Sequence, residues 1–196
     1  MSQAERDKWN ERYRSGYYES REHPTALLAD WAPRLNKGTA LDVACGAGRN
    51  ALFLAAAGYR VDAVDISEVG LERVRAAAAQ RGLDVRCIAA DLDADPDEAL
   101  PSGECYDLIV WVRYVNSALM PPLVRRLAPG GYLLCEQHLI TTADVVGPRS
   151  PAFRLQPNEL LHSAAELLVL HYAEGIVMDP DGRRAALAQL VARRAD

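Results

Sequence analysis

The sequence predicts one α/β domain built on an open, mostly parallel sheet, with helices on both faces and an antiparallel hairpin at its end. Short apolar strand-like runs alternate with segments of helical periodicity through the first two thirds of the chain. Glycines or prolines close most of these segments. The tail changes texture to two strand-like runs joined by a polar turn, Asp179-Pro-Asp-Gly182.

Residues 3–14 and 24–35 read as helices, with Pro24 suited to a first helical turn and Leu27, Leu28, Trp31 and Leu35 at helical spacing. Residues 39–44 form a short buried strand. A helix follows from Arg49 and stops at Gly58. Residues 59–64 are a second strand. Ser67 is a suitable N-cap for a helix that ends at Arg81 and is closed by Gly82. Residues 85–89 are a third strand and 96–100 a short helix. Residues 105–111 are a fourth strand and 122–127 part of a helix. Pro129-Gly130-Gly131 turns into a fifth strand at 132–136. Residues 157–161 form a short helix, and 167–173 and 185–192 are the hairpin strands.

The 196 residues favour a single domain, and 49% apolar with 25% charged residues is the balance of an ordinary globular chain. A net charge of -5 argues against a whole-surface attraction to nucleic acid or anionic membrane. The longest apolar runs are too short to span a bilayer, and the polar first eight residues lack the apolar core of a signal peptide. Cys45, Cys87, Cys105 and Cys135 show no paired spacing and sit in or beside apolar stretches. They read as buried thiols in a reducing, cytoplasmic compartment, with no metal site.

The chemistry concentrates in Asp42-Val-Ala-Cys-Gly-Ala-Gly48, at the junction of the first strand and the next helix. Gly46 and Gly48 allow a sharp turn and close approach of a ligand to free helix N–H groups. By itself this loop also fits the dinucleotide fingerprint. Asp42 distinguishes the options: a carboxylate in an apolar strand is costly unless paired. The amino group of a methionine moiety would pair it, whereas a pyrophosphate would be repelled. Asp65 ends the second strand, where an acid can take both hydroxyls of a ribose. Asp91 ends the third, where it either accepts from an adenine amino group or serves a turn. Three acids at three successive strand ends indicate S-adenosylmethionine (SAM).

This series, followed by Leu127-Ala-Pro-Gly-Gly-Tyr-Leu-Leu134, resembles the class I SAM-dependent methyltransferases over residues 39–138. Asp7-Lys-Trp-Asn-Glu-Arg-Tyr13, residues 41–51 and Trp111-Val-Arg-Tyr-Val115 further resemble the small bacterial tellurite-resistance and thiopurine methyltransferases. The resemblance implies a Rossmann-like seven-stranded sheet whose last strand is antiparallel. It implies Asp42, Ala44, Gly46 and Asn50 around the methionine part, Asp65 and Ile66 at ribose and adenine, and Asp91 and Leu92 at the adenine edge. Arg113 follows the fourth strand beside the cofactor and is also a candidate for catalysis. Many members of the family carry glycine where Ala44 stands.

Methyl transfer from a sulfonium is an in-line displacement that chiefly needs alignment and exclusion of water. S-Adenosylhomocysteine (SAH) is the product. His138 follows the fifth strand at the expected acceptor rim, as a catalytic residue or a hydrogen-bonded strand-end histidine. Trp9 and Tyr13 share one helix face, as packing or as an aromatic cover over the sulfonium, with Gly16 as its hinge. Tyr17, His23, Arg149 and Arg154 are the substrate-side candidates. The two arginines either hold an anionic acceptor or are solvated.

The sequence thus predicts a single domain over 1–196: a helical cover (1–36), a cofactor core (37–138) and a substrate-side insert with the terminal hairpin (139–196). The expected partner is a small-molecule methyl acceptor such as a thiol, a metalloid oxyanion or another small anion, with no nucleic acid and no membrane. The chain is expected to be a monomer or homodimer. A noncatalytic SAM-binding module and, behind it, an NAD-dependent oxidoreductase are the alternatives.

Overall fold

The computed structural model describes residues 3–16 and 21–196. Seven strands form one sheet: β1 (Thr39–Val43), β2 (Arg60–Asp65), β3 (Val85–Ala89), β4 (Tyr106–Val112), β5 (Leu127–His138), β6 (Leu168–Met178) and β7 (Arg184–Arg193). Their spatial order is β3-β2-β1-β4-β5-β7-β6. The first five run parallel, while β7 is antiparallel to both β5 and β6. The chain moves outward from β1 to β3, then returns to place β4 on the other side of β1. That reversal opens a crevice beyond the carboxyl ends of β1 and β4, where such sheets bind ligands.

The helices are α1 (Gln3–Arg14), α2 (Ala26–Trp31), α3 (Arg49–Ala56), α4 (Glu68–Arg81), α5 (Pro96–Ala99), α6 (Met120–Arg126) and α7 (Glu159–Ser163). Alternation along the strands divides the core. Leu41, Val43, Ile109 and Trp111 pack on the face that also buries Leu123 and Leu160 of α6 and α7. Ala40, Val61, Leu108 and Val110 pack on the opposite face with Leu28 of α2, Leu54 of α3 and Leu71 of α4. Burying each large aliphatic side chain contributes about 1.5–3 kcal/mol. No helix among the described residues is long and apolar enough to cross a membrane.

The expected caps of α4 are present. Ser67 Oγ accepts from Gly70 N, and Gly82 closes the helix with a φ of 63° while its N–H reaches the carbonyls of Ala78 and Ala79. The expected helix over 24–35 is shorter, because Pro33 lacks an N–H to donate. Residues Ala32–Arg34 tighten into a 3-10 turn instead. The fifth strand starts earlier than its proline and glycines suggested. Pairing with β4 begins at Leu127, and an irregularity in register absorbs residues 128–131 before Tyr132 joins Leu108. Gly130 allows this with a φ of 71°, and Gly131 lies where a Cβ would approach the Tyr106 carbonyl to 2.7 Å. The tail forms the expected hairpin at the sheet edge, longer than expected at both strands. The cysteines need correction: Cys45 and Cys135 are buried, but Cys87 is half-buried and Cys105 is exposed.

Polar groups at the amino end of the sheet satisfy one another. The buried Asp62 carboxylate accepts from Arg86 Nε at 2.7 Å, Arg86 Nη2 at 2.5 Å and Tyr106 OH at 2.6 Å. The carboxyl end is different.

Candidate cofactor and acceptor site

Residues 44–48 leave β1 and enter α3 through three consecutive backbone devices. Ala44, Gly46 and Gly48 all take positive φ, at 54°, 60° and 81°. The alanine adopts a conformation glycine would take without strain, at a cost of about 1–2 kcal/mol. A side chain at Gly46 would meet Tyr13 OH at 2.5 Å, and one at Gly48 would meet Val74. The loop is therefore held between α1 and α4.

Asp42 is 1% exposed, and its Oδ2 accepts from Ala51 N at 2.9 Å. Its carboxylate thus takes one of the otherwise unsatisfied N–H groups in the first turn of α3. Burial still raises its pKa to about 7, opposed by that hydrogen bond and by Arg49. Asp65 is equally enclosed. Its two oxygens accept from Gly46 N and Ser67 N, each at 2.8 Å, so it ties the glycine loop to the start of α4. Burial raises its pKa as well. Asp91 is only partly buried and accepts from Asp93 N at 3.0 Å, the turn geometry that the sequence left open beside an adenine contact. Ile66 and Leu92 are buried next to these acids. Asn50, expected near the methionine part, is buried, and its Oδ1 accepts from Thr25 N at 3.1 Å and anchors the start of α2.

α1 lies across this end of the sheet. Tyr13 is buried, its carbonyl accepts from Arg73 Nη2 at 2.5 Å, and its ring lies 6.3 Å from that of the half-buried Trp9. Asn10 Oδ1 accepts from Ser67 Oγ at 2.8 Å, which joins α1 to the α4 N-cap. Tyr17 lies outside the described residues.

Beyond β4 and β5 the structure assembles a buried ionic network that the sequence reading found only in part. Arg113 has a φ of 58° and is turned into the protein. Its guanidinium donates to Glu136 Oε1 at 3.1 and 3.0 Å and to Asp179, with Nη1 to Oδ2 at 2.7 Å. Gln189 Nε2 donates to the other Glu136 oxygen at 2.8 Å. All three charged side chains are 7% exposed or less. Arg113 was expected beside the cofactor; its guanidinium binds β5 and the β6–β7 turn together. Glu136 and Asp179 were missed because each is read locally as a strand or turn residue, and only the sheet order makes them neighbours.

His138 is 7% exposed, and its Nδ1 has no hydrogen-bond partner among the described residues. A Cβ on Gly147 would reach that nitrogen at 2.8 Å, so the insert covers this side of the ring. Burial, then the charges of Arg113, Arg154 and Arg21, lower its pKa to about 3. The ring is therefore neutral at physiological pH and a weak base. Arg154 donates to the carbonyls of Pro148 and Leu139, both at 2.8 Å, so it braces the insert. Arg149 and His23 are exposed. An open pocket of about 500 Å³ between the ends of β3 and β4 and the insert is lined by Asp93, Asn116, Arg154 and Glu159, among others.

A glycine loop at the switch point, with acids at three adjacent strand ends, defines a nucleoside-cofactor domain of the methyltransferase type. Residues 40–131 match the methyltransferase domain family. A probable S-adenosyl-L-methionine-dependent methyltransferase TehB of Haemophilus influenzae is 26% identical over 194 residues, 91% of this chain and 66% of that protein. Hemagglutinin 1 of Eikenella corrodens is 34% identical over 143 residues, 69% of this chain and 46% of that protein. The crystal structure of H. influenzae TehB superposes with a TM-score of 0.74 at 25% identity, covering 91% of this chain and 66% of that one. A Burkholderia thailandensis 1,6-didemethyltoxoflavin-N1-methyltransferase, solved with SAH, shares the fold at a TM-score of 0.70 and 18% identity, covering 97% and 87% of the two chains. Over residues 40–131 the chain matches the methyltransferase domain, and over most of its length it resembles the probable SAM-dependent methyltransferase TehB. It spans less than two thirds of the length of the first curated relatives it matches.

Proposed function

We propose that this protein transfers the methyl group of SAM in line to a small-molecule acceptor. The observation that carries the reading is the enclosed carboxylate of Asp42 beneath a loop of three positive-φ residues. A buried acid held near neutrality is stabilised by a cationic partner, and the methionine ammonium of SAM supplies one. SAM brings an activated methyl group on a sulfonium; the chain's residues bind it, align the acceptor and exclude water. Gly46, Gly48 and Ala44 offer backbone close to the methionine part. Asp65 and Ile66 serve the ribose side, Asp91 and Leu92 the adenine side, and Trp9 and Tyr13 the cover. Asp65 takes ribose hydroxyls by exchanging one of its two backbone N–H partners.

The division into a cover (1–36), a cofactor core (37–138) and a substrate-side insert with hairpin (139–196) belongs to the same proposal. So do the cytoplasmic setting, the absence of nucleic-acid binding, and a monomeric or homodimeric state. The weak basicity of His138 supports an acceptor that needs no proton removed, such as a thiolate or a metalloid oxyanion. Calorimetry with SAM, SAH and NAD tests the cofactor, and no binding of SAM or SAH at millimolar concentration refutes it. Labelled SAM offered with thiols, selenite, tellurite, phenols and amines tests turnover. Transfer to none of them favours a noncatalytic SAM-binding module.

A further inference from the structure

The sheet has two edges, and they differ. β3 closes one side with five residues, among them Arg86, whose guanidinium is bound to Asp62. β6 closes the other side with eleven residues, Leu168–Met178, and carries one charged residue, Glu174, and no proline or lysine. Sheets blunt a long free edge with charges or proline, because its unpaired N–H and C=O groups are a template for another strand. β7 pairs with one side of β6. No backbone group pairs with the other side among the described residues. Leu168, Leu170, Ile176 and Met178 are between 43% and 60% exposed, and they are four of the six large apolar side chains exposed among the described residues.

We infer that the outer edge of β6 pairs antiparallel with β6 of a second copy of this chain, joining two sheets into one across a two-fold axis. The inference stands apart from the methyltransferase reading, and it narrows the expected monomer or homodimer to a homodimer. The free edge is a backbone ladder, so the occupant it fits is itself a strand. Antiparallel pairing of identical strands closes on itself about a two-fold and uses the free edge of both copies. An axis at Ala173 overlaps all eleven residues. A full antiparallel ladder of that length supplies about ten hydrogen bonds, the number in a typical stable interface. The same axis sets Leu168 beside Met178 of the second copy and Leu170 beside its Ile176, which takes the exposed apolar ends out of water. The irregularity between Val169 and His171 adds twist near one end and leaves Tyr172 to Met178 in regular register. Charge does not oppose the pairing. The carboxylate of Glu174 already accepts from Asn158 N at 2.6 Å and from Tyr172 OH. Two copies of a chain with a net charge of -5 thus meet where the one like charge of the strand is already held by two donors.

The test is sedimentation equilibrium of the full 21.5 kDa chain at micromolar concentrations, with folding checked by circular dichroism and SAH affinity by calorimetry. The parent should sediment as a two-copy species. Leu168→Lys with Met178→Lys sets like charges beside each other at both ends of the ladder and should weaken association at least tenfold. Leu168→Glu with Met178→Lys sets opposite charges there and should keep association within threefold of the parent. Both side chains are 60% exposed, so each variant should fold as the parent does. Hydrogen exchange of the amides of residues 171–178 should be slow in the parent and the charge-paired variant, and faster in the double lysine variant. A parent that stays monomeric overturns the inference, as does a dimer that the double lysine variant leaves intact or that the charge-paired variant loses. SAH affinity should be the same in all three chains, so loss of the dimer and failure of the cofactor reading are measured separately.

Discussion

Cofactor affinity should depend on pH through Asp42. Burial raises this carboxyl from 3.8 to about 7. Because its pKa is raised on folding, the stabilisation linked to Asp42 is present below pH 3.8 and lost as pH rises through 7, at a cost of about 4 kcal/mol once ionised. The ammonium of SAH, charged up to about pH 8, favours the ionised carboxylate and offsets that cost. If the bound carboxyl returns to its ordinary range, binding below pH 7 must expel its proton. Affinity is then expected to fall about elevenfold at pH 6 and about a hundredfold at pH 5, relative to full ionisation. About 0.9 proton should be released per SAH bound at pH 6. Calorimetry in two buffers of different ionisation enthalpy measures both quantities. Asp42→Asn keeps an acceptor for Ala51 N and should bind SAH weakly, with neither pH slope nor proton release. A flat affinity between pH 6 and 8 in the parent chain, with no buffer dependence, would refute the ammonium–carboxylate pairing.

Three further outcomes follow from the same geometry. Gly46→Ala places a Cβ 2.5 Å from Tyr13 OH at a φ of 60°; it should cost at least about 1–2 kcal/mol in urea unfolding and at least tenfold in SAH affinity. An unchanged SAH affinity would remove the loop from the binding site. Arg113→Met leaves Glu136 and Asp179 buried without their cation and should destabilise the chain by about 3–5 kcal/mol, read as a lower urea midpoint; a loss under 1 kcal/mol would show the network to be solvated. His138, lowered from 6.5 to about 3, contributes stability that is present above 6.5 and lost as pH falls toward 3. Between pH 7 and 5 the parent should therefore lose about 2 kcal/mol more than His138→Gln, and identical acid profiles would contradict a buried neutral imidazole.

Where local rules govern, the sequence is explicit. Ser67 and Gly82 mark the two ends of α4 because a hydroxyl N-cap and a left-handed C-terminal glycine act on adjacent backbone. The order of strands and the terminal hairpin follow from alternation and spacing. Misplaced boundaries occur where tertiary pairing overrides a local signal. Leu127 joins β4 although a proline and two glycines follow it, because register irregularity beside Tyr106 accommodates them. Cys105 sits in a strand-like run but is exposed, since it precedes the first paired residue of β4.

The two halves of the site differ in legibility for a physical reason. Asp42, Gly46 and Gly48 lie within seven residues, and the chemistry of that half is set by one loop and the strand ends next to it. The side of the crevice proposed for the acceptor is set by pairs distant in sequence. Arg113 meets Glu136 and Asp179 across 23 and 66 residues, and nothing local to any of them announces the others. Sequence chemistry names Arg149 and Arg154 as acceptor-side candidates from their loop neighbours alone. The folded protein uses Arg154 as a brace and leaves Arg149 exposed. The cofactor half hangs on one local contact, because Asp42 accepts an N–H of the first turn of α3, so a change in that turn should weaken SAH binding, whereas a change in the insert should leave SAH binding unaltered.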